Sequence, residues 1–187
     1  MKTKTVVGLG LFTAIVVVLQ LLAVGLRALG LFSISLVLVP IVVGAAAYGK
    51  KGGAWLGFVF GAAVLFSGDA NAFLAINPAG TVITVLAKGA LCGLAAGVVY
   101  DLLKSKNLLA VLAAAAVCPV VNTGIFLLGC RVFFFGTITQ WASAAGFQSV
   151  GAYMFIGLIG INFFIELAVN LVLAPVANRL IAFNKKV

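Results

Sequence analysis

The chain has 187 residues, 65% of them hydrophobic and 8% charged, with a formal net charge of +9 and a mean hydropathy of +1.33. A water-soluble domain is about half apolar and a quarter charged, and a disordered chain needs low hydrophobicity. Both classes are therefore excluded, and a polytopic membrane protein remains. Histidine is absent, which removes His-based zinc sites and every His-dependent triad. The three cysteines, Cys92, Cys118 and Cys130, lie in or at the edge of apolar segments, and their odd number argues against a disulfide framework. No catalytic residue, metal site or cofactor is expected.

A membrane-crossing helix needs roughly 20 mostly apolar residues, and about six such segments can be read along the chain. The first runs from about Thr5 to Leu26, with Arg27, Gly30 and Ser33 marking its exit. It begins on Lys2 and Lys4 as a signal peptide does, but its apolar run is too long, and Arg27 stands where cleavage would fall. It is read as a retained helix. The second, Ser35 to about Tyr48, ends at Gly49-Lys50-Lys51-Gly52-Gly53, and a short third, Gly53 to Ser67, reaches the polar stretch Gly68-Asp69-Ala70-Asn71. After Asn77-Pro78 the fourth runs from Ala79 to Leu103 and stops at Lys104-Ser105-Lys106-Asn107. The fifth covers Leu108 to about Cys130, a connection follows from Arg131 to Val150, and the sixth runs from Gly151 to about Phe183. The expected fold is all-α, a compact transmembrane bundle of about six helices forming a single domain over residues 1–187.

Orientation follows from the Lys/Arg bias of short loops. With that segment count, Lys2, Lys4, Lys50, Lys51, Lys104, Lys106, Arg179, Lys185 and Lys186 fall on one side, against Arg27, Arg131 and Asp69 on the other. The basic side is cytoplasmic, so both termini face the cytoplasm. The positive charge is thereby accounted for as a topology signal, and nucleic acid is not an expected partner.

Two glycine stripes stand out. Gly53, Gly57 and Gly61 recur every four residues, as do Gly89, Gly93 and Gly97, and Gly10 with Ala14 forms one further pair of small residues. Small residues let helix backbones approach where lipid supplies no hydrophobic drive. The stripes are read as packing within the chain, whereas Gly10 and Ala14 are free to serve a partner protein.

Polar side chains inside the apolar segments point to a cavity. Thr81, Thr84 and Lys88 fall within about 60° of one another on the fourth helix, forming one narrow polar face. Lys88 lies about 12–15 Å below the outer end, where a lysine costs about 2.5–3.5 kcal/mol and requires a partner, water or ligand. Glu166 is the only acid of the sixth segment, and Asn162 precedes it by one turn. Lys88, Asn122, Asn162 and Glu166 are placed to converge in the middle-to-outer part of the bundle. The alternative is a Lys88–Glu166 pair with interhelical Asn hydrogen bonds and no ligand. The outer loops add Ser33, Asp69, Asn71 and Asn77, and the long last connection adds Trp141, Gln140, Gln148 and Tyr153 as a polar and aromatic lid. Trp141 and Tyr153 read equally well as membrane-interface residues. The Arg131-Val132-Phe133-Phe134-Phe135 run reads as interface anchoring.

With these features in place the chain resembles a substrate-binding S component of an energy-coupling factor (ECF) vitamin transporter. Gly10-Leu11-Phe12-Thr13-Ala14 stands where that family has an Ala-xxx-Ala pair, with Gly10 preserving smallness. Ser35-Leu36-Val37-Leu38-Val39-Pro40 and Gly49-Lys50-Lys51-Gly52-Gly53-Ala54-Trp55-Leu56-Gly57 resemble the family's second-helix proline and the glycine-rich turn after it. Asn77-Pro78, Lys88-Gly89 and Pro119-Val120-Val121-Asn122-Thr123 are similar in kind and position, so the likeness covers nearly the whole chain. The resemblance implies a multi-pass protein of a prokaryotic cytoplasmic membrane that binds a small water-soluble vitamin from outside. It also implies docking through Gly10 and Ala14 on a transmembrane coupling subunit served by two cytoplasmic ATPases. In keeping with that division of labour, the chain has no Gly-x-x-x-x-Gly-Lys-Ser/Thr loop.

Three other readings compete. An intramembrane protease would need His or paired Asp, and Asp69 and Asp101 fall near opposite faces. A self-sufficient secondary carrier would use Lys88 and Glu166 as an ion relay, but such carriers show internal repeats, and none is evident. The third is a purely structural membrane subunit.

Overall fold

In hydrocarbon every backbone polar group must be satisfied within the chain, which leaves helices as the natural state of these apolar segments. The computed structural model describes residues 3–28 and 36–184. Ser33, the Gly30–Ser33 exit of the first segment, the start of the second at Ser35, and the terminal Lys2, Lys185 and Lys186 lie outside them. The described residues hold helices and no strand. In order they are α1 (Thr3–Ala28), α2 (Leu38–Phe66), α3 (Asn71–Leu74), α4 (Pro78–Leu103), a 3₁₀ turn (Lys104–Lys106), α5 (Asn107–Phe133), α6 (Phe135–Ala144), α7 (Val150–Ala152), a π-helical segment (Tyr153–Ile159) and α8 (Gly160–Asn184). Among the described residues three stretches are long and apolar enough to cross a membrane: Thr5–Leu26, Pro78–Phe133 and Val150–Ala182.

The second and third predicted segments form one element, α2, broken at Gly49, whose φ of 78° and ψ of 176° leave the helical region. Glycine is needed there because a side chain rarely adopts that backbone conformation. On a straight helix Gly44 and Leu56 would stand about 18 Å apart, yet the Leu56 side chain packs on Gly44. The chain therefore reverses at Gly49, and α2 consists of two antiparallel arms.

The second arm of α2 lies along α4 in the most extensive contact between any two elements. Glycine makes this possible. The backbones of Gly53 and Gly93 meet, as do those of Gly57 and Gly89, while Gly61 faces the carbonyl of Val85. At Gly97 the facing backbone is that of Lys50. The two stripes are thus the two halves of one seam, which places α2 and α4 at the close approach that small residues allow. On its other side α4 packs on α5, and α5 on α8, while α1 packs chiefly on α2.

Asn77 opens α4. Its side-chain oxygen accepts from the backbone N–H of Gly80 at 2.9 Å, and Pro78 follows at the first helical position, where its missing N–H is not required. Two stretches differ from their sequence reading. The Arg131–Val150 connection is largely helical, because α5 continues to Phe133 and α6 follows almost at once. The sixth segment is not uniform: α7 leads into the π-helical segment, and the backbone breaks at Gly160, the first residue of α8, with φ of 51°.

Candidate functional site

A cavity of about 410 Å³ opens among α1, the second arm of α2, α4, α5 and α8. The sequence puts polar residues on its wall by helical spacing. Thr81, Thr84 and Lys88 line it from α4, Asn122 and Thr123 from α5, and Asn162 and Glu166 from α8. Asn162 is exposed and Lys88 partly buried, whereas Thr81, Thr84 and Asn122 are buried. Asp69, from the turn after α2, and Gln20, from α1, complete the polar wall.

The polar groups differ in how far they are satisfied. Thr81 donates its hydroxyl to the backbone carbonyl of Asn77 at 2.8 Å, a helix-internal bond that takes up its proton. Gln20 donates to a carboxylate oxygen of Asp69 at 3.2 Å and reaches the Ser67 hydroxyl at 3.4 Å, tying α1 to the end of α2. By contrast, Thr84 Oγ1 and Asn122 Oδ1 are buried without a hydrogen-bond partner. A buried polar atom in that condition costs about 1–3 kcal/mol.

The Lys88 ammonium lies between two aromatic faces, 5.7 Å from the ring centre of Phe60 and 5.4 Å from that of Phe126. Cations are attracted to the negative faces of such rings. Asp69 and then Glu166 are the carboxylates that act on its charge most strongly. Behind Phe126 the aromatic wall continues through Phe73, which meets the rings of Phe126, Phe134 and Trp141 edge-on at 5.6, 5.0 and 5.7 Å. Phe134 is 3% exposed and lines the cavity. The Arg131–Phe135 run is therefore divided: Phe134 turns inward, while the Arg131 guanidinium stacks on Phe135, 3.8 Å from its ring centre, with both residues exposed.

Four residues considered for the site lie off the cavity wall. Asn71 is exposed on the short α3, and Asn77 is engaged as the α4 cap. Trp141 supports Phe73 from behind. Tyr153 packs edge-on against Phe147 at 5.4 Å. Conversely, Gln20 was detectable in the sequence as the one polar side chain between Ala14 and Leu26, and intramembrane polar residues usually face the bundle interior. Phe60, Phe126 and Phe134 carry no such mark, because a phenylalanine suits lipid as well as a cavity wall. Among the described residues no group of three or more Cys, Asp or Glu stands ready to hold a metal ion.

A helical molecule with long apolar stretches and an internal cavity walled by polar side chains has the form of a membrane protein that holds a small molecule. The chain matches the family of ECF transporter substrate-specific components over residues 4–177, from the start of α1 well into α8, and it belongs to that family. Such components confer specificity on a transporter, associate with an ECF module and are not themselves enzymes. No curated protein and no solved structure matches the chain.

Proposed function

We propose that this chain binds a small water-soluble vitamin or related micronutrient from the outside and delivers it inward as the specificity subunit of an ECF-type transporter. The observation that carries the reading is the cavity: within a family of substrate-specific components, it gathers polar side chains from four separate helices. Lys88, Asn122, Asn162 and Glu166 are the proposed polar contacts to the ligand, with Thr81 and Thr84 beside them. Asn71, Asn77, Trp141 and Tyr153 take the outer role of shaping the mouth and its supporting wall. The chain crosses a prokaryotic cytoplasmic membrane about six times, the two arms of α2 each counting as one crossing. Both termini lie on the cytoplasmic side, where most of the lysines gather.

Energy comes from partners in this account. A transmembrane coupling subunit carries two cytoplasmic ATPases and receives the outer face of α1 at Gly10 and Ala14. Both residues are exposed, with Val7 67% and Leu11 62% exposed around them, and nothing lies within 4 Å of a Cβ added at Gly10. That open strip supports the docking role.

The test is thermal unfolding of the purified protein against a panel of water-soluble vitamins. A true ligand at 100 times its Kd adds about 2.7 kcal/mol of stability. The same compound should stabilise Lys88→Ala much less, with membrane insertion unaffected. Equal stabilisation of both proteins removes Lys88 from the site, and a panel without any response counts against the reading as a whole.

A further inference from the structure

We propose that the lipid-facing side of α5 holds one anionic phospholipid, an acyl chain lying in an apolar groove and the headgroup phosphate on Arg131. The site is separate from the ligand cavity and does not depend on what that cavity binds.

The groove lies between α5 and the π-helical segment, has a volume of about 580 Å³, and shares no lining residue with the cavity. Helical spacing builds its floor. Val120, Gly124, Leu128 and Arg131 follow at intervals of four, four and three residues, which is one stripe along a helix of 3.6 residues per turn. Met154 and Phe155 form the facing wall. Val120, Leu128 and Phe155 are each half or more exposed, and nothing lies within 4 Å of a Cβ added at Gly124. The stripe is therefore an open trough with a notch at its middle, unlike the packed seam between α2 and α4.

Length fits the trough to one lipid leaflet. From Val120 to Arg131 it runs about 16 Å along the axis, against about 15 Å for the hydrocarbon of one leaflet. Arg131 stands in the last turn of α5, which ends at Phe133. The cation is thus carried at the level where hydrocarbon gives way to headgroups.

Charge decides the occupant. Arg131 is the only charged side chain on this lining, and the rest of the lining is apolar. Its guanidinium lies 3.8 Å from the ring centre of Phe135. Stacking occupies the flat face of the guanidinium and leaves its N–H donors pointing outward in the plane. A fork held in this way is oriented to take two phosphate oxygens at once. A zwitterionic lipid brings the same phosphate with its own ammonium beside it, so a headgroup of net negative charge is the better match. An apolar helix of another protein could fill the trough but would offer the cation nothing, and a cation at a membrane helix needs a partner.

Native mass spectrometry of the full, delipidated chain tests this with equimolar phosphatidylglycerol and phosphatidylcholine of identical acyl chains. The protein is expected to retain one phosphatidylglycerol, with about fivefold preference over phosphatidylcholine, or about 1 kcal/mol. Arg131→Gln should bring the two lipids to parity. Lys106→Gln, at the opposite end of α5, should leave the preference intact. Gly124→Phe should melt like the parent, because the added ring enters open space, and should lower retention of both lipids about tenfold. Equal retention of the two lipids by the parent overturns the proposal. So does a preference that survives Arg131→Gln, one that Lys106→Gln removes equally, or full retention by Gly124→Phe. A dimer in place of a lipid adduct assigns the groove to a second copy of the chain and overturns it as well.

Discussion

Ala14→Trp is expected to abolish uptake in cells while leaving ligand binding by the isolated protein unchanged. α1 divides into two faces. Val16, Gln20 and Ala23 are buried, with Gln20 and Ala23 reaching the cavity, and the opposite face, including Gly10 and Ala14, is exposed. Trp55 Nε1 donates to Thr13 Oγ1 at 3.1 Å, holding α1 against α2 from beside that strip. A tryptophan at position 14 therefore extends away from the bundle and disturbs neither the cavity nor the α1–α2 contact. What it obstructs is the close backbone approach that small residues permit between membrane helices. Uptake should fall by more than about tenfold, corresponding to 1.4 kcal/mol of docking energy or more, and the ligand Kd should stay within about twofold. Uptake assays in cells, paired with binding to purified protein, separate the two effects. Normal uptake by the variant refutes docking through this face.

The second large effect concerns stability. Gly57→Leu is expected to prevent folding or to lower thermal stability severely, because a Cβ at position 57 would overlap the carbonyl of Gly89. The obstacle is backbone on both sides and cannot move as a flexible side chain does. Overpacking in ordinary cores costs about 1–3 kcal/mol, and a clash along the longest seam of this molecule belongs at or beyond the upper end. Gly10→Leu is the matched control, since nothing lies within 4 Å of the added Cβ. It should melt like the parent in detergent while sharing the uptake defect of Ala14→Trp. Comparable melting of the Gly57 variant and the parent would contradict the seam.

How much of this was legible before the structure depends on the kind of signal. Glycines at a spacing of four announce close packing, and the paired stripes of α2 and α4 meet along one seam. Lys88, Thr81 and Thr84 share a helical face because the period is 3.6 residues, and all three line the cavity. The reversal at Gly49 was marked by Gly49-Lys50-Lys51-Gly52-Gly53, although the two arms join as one element. Other features had no comparable signal. Nothing in the Arg131–Phe135 run distinguishes Phe134, which turns inward, from its exposed neighbours Phe133 and Phe135. That choice is made by tertiary packing against Phe73. The π-helical turn at Tyr153–Ile159 is likewise invisible to a periodicity argument, since its residues are as apolar as those of α8. Asn77, a polar residue considered for the ligand, caps α4 through its side-chain oxygen, as Asn before Pro at a helix start commonly does.

The central claim is that the cavity between α1, α2, α4, α5 and α8 holds one small molecule tightly. Native mass spectrometry of the protein released from detergent tests it most directly. The account predicts a one-to-one complex with a vitamin-sized compound, either co-purified or formed on incubation with the vitamin panel, and its loss in Lys88→Ala. A chain that stays at its bare mass after exposure to every compound of the panel would contradict it.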